Sequence, residues 1–125
     1  MIREIKFYKN YFINFYITLD IKVQSKIDYV FKLISTIERV PEKYLKHIEN
    51  TNGLYEIRIK YGGDIFRIFC CFDEGSVIIL FNAFQKKSQK TPKKEIEKGI
   101  KLKNEYFQNK LKEKKNENNK RSNKL

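Results

Sequence analysis

The sequence predicts a small α+β domain: a mostly antiparallel sheet of about four strands, packed against N-terminal helices and one C-terminal helix. Three observations lead there. Strand-like runs follow one another with no helical interruption: LYEIRIKY from Leu54 to Tyr61, DIFRIFCCFD from Asp64 to Asp73 and VIILFNAF from Val77 to Phe84. Two tight-turn signals separate them, Gly62-Gly63 and Asp73-Glu74-Gly75-Ser76, the first with the φ > 0 freedom a two-residue hairpin needs. Before and after this block, apolar residues recur at helical spacing.

The elements follow in order. Arg3–Tyr8 alternates Ile5 and Phe7 against Glu4 and Lys6, as a half-buried edge strand does. Tyr11–Leu19 places Phe12, Phe15, Tyr16 and Leu19 on one stripe of a short helix. Asp20 is a helix-capping residue for a longer helix from Ile21 to Glu38, with Val23, Ile27, Val30, Phe31, Ile34 and Ile37 facing the core. Pro41-Glu42 suits the first turn of a further short helix to about Ile48. Glu49 to Gly53 is a turn cluster leading into the first central strand. Thr91-Pro92 with Glu95 marks the start of the last helix, expected to run to about Phe107. Residues 1–108 therefore make the domain. Residues 109–125 form a basic tail, disordered or a frayed helix end, because little apolar surface remains there to offset chain ordering.

Composition narrows the partners. The chain has 27 Lys+Arg against 15 Asp+Glu, a formal net charge of +12, which points to a polyanion. About +5 of that lies in the tail, where seven basic residues face two acidic ones. Cys70 and Cys71 are adjacent, so in a strand they point to opposite faces and read as small core residues in a reducing cytoplasm. The longest apolar run, Tyr11–Leu19, is far short of a membrane span, and no signal-peptide pattern precedes it. No metal-ligand spacing and no cofactor motif is found. His47 has no Asp, Ser or Cys neighbour in a catalytic pattern and reads as a partly exposed helix-end residue.

Arg58 and Arg67 interrupt otherwise apolar or aromatic strands, and Lys86-Lys87 leaves the end of the third. Unpaired guanidinium groups are costly to bury, so cations in a small sheet face a cleft, a carboxylate or a polyanion. Alternation puts Leu54, Glu56, Arg58 and Lys60 on one face of the first central strand, and Tyr55, Ile57, Ile59 and Tyr61 on the other. This suits a sheet with helices on one side and an open second side. Whether Arg58 and Arg67 share a face depends on hairpin register, which composition does not fix.

The run GLYEIRIKYGGDIFRIF, the following FQKK and KTPKKEIEKG at the last helix resemble the RelE/ParE toxin superfamily, in its HigB-like, phage-derived branch. The resemblance covers roughly Lys22 to Phe107. It implies a ribosome-dependent mRNA endoribonuclease that needs no metal, neutralised by a cognate helix-turn-helix antitoxin, with Arg58 and Arg67 in a basic cleft. Within that frame Arg67 is the expected transition-state stabiliser and Arg58 positions the backbone. Lys86 and Lys87 add phosphate contacts as part of the catalytic set, one of them a candidate general acid, and Glu56 is a structural partner of Arg58 or a proton acceptor. Lys60, Lys90, Lys93 and Lys94 are expected on RNA phosphates, and Tyr61 and Tyr55 are candidates for base stacking. Three other readings stay open: a ParE-like toxin acting on DNA gyrase, a non-catalytic basic nucleic-acid-binding module, and a decayed toxin.

Overall fold

In the computed structural model, which describes the backbone of residues 1–123 and the side chains of residues 1–119, eight elements follow one another. They are β1 (Glu4–Phe7), α1 (Tyr11–Tyr16), α2 (Ile21–Thr36), β2 (Leu45–His47), β3 (Tyr55–Tyr61), β4 (Asp64–Asp73), β5 (Val77–Lys86) and α3 (Lys93–Asn123). The expected α+β class holds, with five strands rather than about four, in the order β1-β5-β4-β3-β2. Both hairpins form where the turn residues place them. Gly62 takes φ +60° between β3 and β4, and Glu74 and Gly75 take φ 49° and 78° between β4 and β5. β1 adds to β5 in parallel, at the edge of an otherwise antiparallel sheet.

The extra strand replaces a helix the sequence suggested. After Pro41 a single turn forms, the amides of Tyr44 and Leu45 both bonding to the Pro41 carbonyl. The chain then extends, and Leu45–His47 pairs antiparallel with Tyr55–Ile57. Apolar Tyr44 and Leu45 pack under the sheet, and the open edge of β3 supplies partners that outweigh the local proline signal. His47 thus lies exposed on an edge strand, its ring edge-on to Tyr55, rather than at a helix end.

α2 is capped as expected, the Asp20 side chain accepting from the Lys22 amide at 3.0 Å. It ends at Thr36, short of Glu38, because Ile37 is extended. The Arg3 guanidinium donates to the carbonyls of Ile34, Ile37 and Glu38 at 3.0, 2.8 and 2.8 Å. A cation thereby satisfies the oxygens that a helix C-terminus leaves over.

The sheet carries apolar cores on both faces. On one, α1 and α2 bury Phe12, Val23, Ile27, Val30 and Ile34 against Ile57, Ile59, Ile68, Cys70 and Leu80. On the other, α3 covers Leu54, Phe69, Cys71, Ile79 and Phe81 with Leu102. The second face is therefore not open, as alternation in β3 alone suggested; only its β3 side is left uncovered by α3. Cys70 and Cys71 do point to opposite faces, and burial pushes both thiols up, that of Cys71 to about 12.

A bulge brings α3 close. Ile68 pairs with Ala83 but Cys70 with Leu80, so β5 spends one extra residue there. Phe81 and Asn82 consequently both reach toward α3, where Asn82 Nδ2 donates to the Glu95 backbone oxygen at 3.1 Å and to its carboxylate at 3.0 Å. Gly99 permits the approach: a Cβ there would lie 2.9 Å from Phe69 Cδ2 and 3.2 Å from Leu54 Cδ2.

α3 runs on to Asn123 instead of stopping near Phe107, through most of the segment expected to be a tail; residues 124 and 125 of that tail lie outside the described residues. Two polar clamps hold it as far as Lys110. Glu105 accepts from Tyr8 and, at 2.6 Å, from Lys9, and Asn109 donates to the Tyr8 oxygen. One residue on, Asp73 accepts from Tyr106 at 2.6 Å and from Lys110 at 2.8 Å.

The second clamp makes stability pH-dependent. Burial alone would raise the Asp73 carboxyl, but the hydrogen bonds from Lys110 and Tyr106 outweigh it and hold the group below its ordinary value. A depressed folded pKa contributes stability that is fully present above the unfolded value of about 4 and is lost as pH falls through the folded one. Burial and the bond to Asp73 push Tyr106 up to about 12, so its contribution is present below about 10 and lost as pH rises through the folded value. Asp73→Asn is expected to lower the melting temperature at pH 7 and to flatten its fall below pH ~4. Thermal melts of both proteins from acid to neutral pH check this; parallel curves would remove Asp73 as the acid-sensitive contact.

Candidate nucleic-acid interface

The β3–β4 register resolves what the sequence left open: Arg58 pairs directly with Arg67. Residues directly opposite in an antiparallel pair share a face, so both guanidinium groups stand on the α3 side of the sheet. Ile65 pairs with Lys86, which brings the end of β5 to the same face. α3 covers β4 and β5 farther along, toward Asp73, and stops short of this corner.

One carboxylate serves both arginines. Glu56, on the same face of β3, has Oε1 3.6 Å from Arg58 Nε and Oε2 3.4 Å from Arg67 Nε. Arg67 is only 5% exposed, whereas the Arg58 side chain is one-third exposed at 33%. Arg67 Nε is buried with no hydrogen-bond partner, and Nη1 reaches only the Phe66 carbonyl at 3.4 Å. Burial lowers the Arg67 pKa, Glu56 offsets this in part, and Arg58 adds to the lowering. Arginine nonetheless remains a cation at neutral pH. Two guanidinium groups, one of them with unspent donors, share a single negative charge. An added anion in the groove would relieve the repulsion.

Two adjoining depressions meet at this pair. The first is lined by Lys43, Arg58, Ile59, Lys60, Ile65 and Arg67. The second is lined by Arg58, Ile65, Arg67, Lys86, Lys87, Ser88 and Gln89. Arg58, Ile65 and Arg67 belong to both, so the groove is continuous from the β2–β3 side to the loop after β5. Its walls carry four lysines around the arginine pair. The arrangement can bind a phosphodiester bidentately at its centre and hold neighbouring phosphates on either side.

The structure thus brings Arg58, Arg67, Lys60, Lys86 and Lys87 together. It does not bring Tyr61, which alternation sets on the opposite face at the hairpin tip, 40% exposed. Tyr55 is likewise on that face, packed edge-on against Phe72 at 5.0 Å. Lys90, Lys93 and Lys94 are exposed in the loop and first turn of α3 but line neither depression. Lys43 was missed. It sits in the turn read as a helix, with its Nζ 4.9 Å from the Tyr44 ring centre, and nothing in its sequence neighbourhood marks it.

Residues 15–104 match the model of the phage derived protein Gp49-like family (DUF891). The chain belongs to that family. The match takes in α2, the three central strands, the start of α3 and every residue lining the groove. Among solved structures, the Gp49-like chain is similar to the archaeal RelE–RelB complex from Pyrococcus horikoshii OT3, with a TM-score of 0.50 and 20% identity over 66% of this chain and 93% of that one. At that identity the likeness is one of fold, and the fold is RelE-like, as the RelE/ParE resemblance implied. No curated protein matches the Gp49-like chain. Among its described residues, no helix is long and apolar enough to cross a membrane.

Proposed function

We propose that this protein is the toxin of a type II toxin–antitoxin module: a cytoplasmic, ribosome-dependent endoribonuclease that cleaves translated mRNA and is held inactive by a cognate helix-turn-helix antitoxin. Family membership and the RelE-like fold support the toxin assignment. The paired Arg58 and Arg67 over one carboxylate carry the nuclease reading.

The chemistry uses the substrate's own nucleophile. The 2′-oxygen of one nucleotide attacks the adjacent phosphorus, the P–O5′ bond breaks, the 2′-OH proton is lost and the leaving 5′-oxygen gains one. Negative charge grows on the non-bridging oxygens in the transition state. Arg67 meets that charge with the outer edge of its guanidinium, which lines both depressions, a preorganised site in low-dielectric surroundings. Arg58, more exposed, holds the backbone. Lys43, Lys60, Lys86 and Lys87 hold flanking phosphates. Glu56 keeps both arginines in place, a structural role, with one carboxylate oxygen facing each guanidinium at 3.6 and 3.4 Å. The ribosome contributes the positioning of the message.

The test separates this reading from a gyrase-directed toxin of the same fold. Purified protein added to a reconstituted translation reaction should stop synthesis within minutes, while supercoiling by DNA gyrase continues. Intact translation with blocked supercoiling would overturn the nuclease reading.

A further inference from the structure

Beyond the groove, the second half of α3 is a basic stretch that the groove does not use. The family match ends at residue 104, yet the helix continues to Asn123. Among the described residues, the last one hydrogen-bonded to the body is Lys110, bonded to Asp73 and Glu74 at 2.8 and 2.9 Å. From Leu111 through Asn119 every residue is exposed. Leu111 to Asn123 spans about 20 Å at 1.5 Å per residue, so the helix leaves the domain as an arm.

Its chemistry restricts what it can meet. After Leu111 no apolar residue occurs through Asn123, which rules out a helix-in-groove partner or a membrane surface, both of which need an apolar stripe. Five basic residues stand against Glu113 and Glu117 between Leu111 and Asn123. Asn116, Asn118 and Asn119 are weak helix formers, and no buried face supports them. A counter-charged surface is the remaining source of order.

Position decides which polyanion segment this can be. α3 passes the Asp73 end of β4, whereas the groove lies near its other end, at Arg67. Six strand residues separate the two, about 20 Å at 3.3 Å per residue, and the arm then points farther away. The arm and the groove cannot grip the same few nucleotides. We propose that the α3 arm is a second, independent contact to structured RNA of the ribosome, through Lys112, Lys114 and Lys115, tethering the protein while the groove engages the message. Two linked sites raise occupancy without any new contact at the scissile bond. This rests on the ribosome-directed reading above for the identity of the polyanion, and on the arm's own charge for the contact.

The experiment is co-sedimentation of the full chain with purified, message-free ribosomes across a range of KCl. The variant Lys112→Gln/Lys114→Gln/Lys115→Gln alters only exposed side chains, and a Lys→Arg version of the same three keeps the charge. The Gln variant should bind at least ~10-fold more weakly near 0.15 M salt, with the slope of log K against log[salt] reduced by about 2–3, while the Arg version binds like the parent. Duplex DNA at equal phosphate concentration should not strip the parent from ribosomes. Unchanged binding by the Gln variant, or equal competition by DNA, overturns the proposal. Message cleavage by the parent, measured separately, distinguishes the two readings. Cleavage with arm-independent binding sinks the arm alone. Arm-dependent binding without cleavage sinks the nuclease alone.

Discussion

Replacing Arg67 with alanine is expected to abolish growth arrest on expression and to cut message cleavage by at least ~100-fold, the scale seen when a single preorganised oxyanion donor is removed. The reason lies in its burial. At 5% exposure and with Nε 3.4 Å from the Glu56 carboxylate, this guanidinium is fixed before substrate arrives, so little reorganisation opposes its meeting a phosphoryl oxygen. Arg67→Lys should not rescue, because an ammonium lacks the planar fork and would leave the centre of the groove empty. Arg58→Ala should cost less, since a side chain one-third exposed sheds part of its interaction to solvent. Folding should survive Arg67→Ala: Glu56 keeps Arg58 at 3.6 Å, so no carboxylate is left without a cation. Retained capture of the variant by the cognate antitoxin serves as the folding control. Arrest at the parent level by Arg67→Ala would remove it from the mechanism.

The largest effect on stability is expected at Phe69. Its ring is fully buried beneath α3, edge-on to Phe84 at 5.4 Å and nearest to Gly99. Phe69→Ala should destabilise by about 3–5 kcal/mol, from lost transfer energy and the cavity left behind. For a domain of this size that is a large share of the total, and a fall in melting temperature on the order of 10–20 °C should accompany it. Gly99→Ala works from the other side of the same contact. Better helix propensity favours it by roughly 1 kcal/mol, but overpacking against Phe69 and Leu54 opposes it by about 1–3. The two changes must therefore couple: in a Phe69→Leu background the Gly99→Ala penalty should shrink or change sign. Strict additivity in chemical denaturation would show that α3 does not press on Phe69 as described.

How far the sequence discloses the molecule depends on whether a feature is local. The two central hairpins are legible because Gly62-Gly63 and Glu74-Gly75 fix both turns, and β3 to β5 are rich in β-branched and aromatic residues. The α2 core stripe is legible because Val23, Ile27, Val30 and Ile34 keep one face. β2 is not, since Leu45–His47 becomes a strand only through pairing with β3, while Pro41-Glu42 reads locally as a helix start. The reach of α3 is also hidden. Asn109 and Lys110 look like the start of a polar tail until Tyr8 and Asp73, distant in sequence, are seen to hold them. At the site, the charged residue types are evident in sequence but their convergence is not. Arg58 and Arg67 could have stood on opposite faces had the hairpin slipped by one residue. Tyr61 illustrates the reverse: a plausible stacking residue that alternation carries to the wrong side.

The most direct test of the central claim is primer extension on a translated message in a reconstituted ribosome system, with the parent protein and Arg67→Ala side by side. A phosphate-binding arginine pair that cuts mRNA predicts discrete new 5′ ends within the translated region for the parent and none for the variant. Intact message with the parent protein, or the same cuts with both proteins, would contradict it.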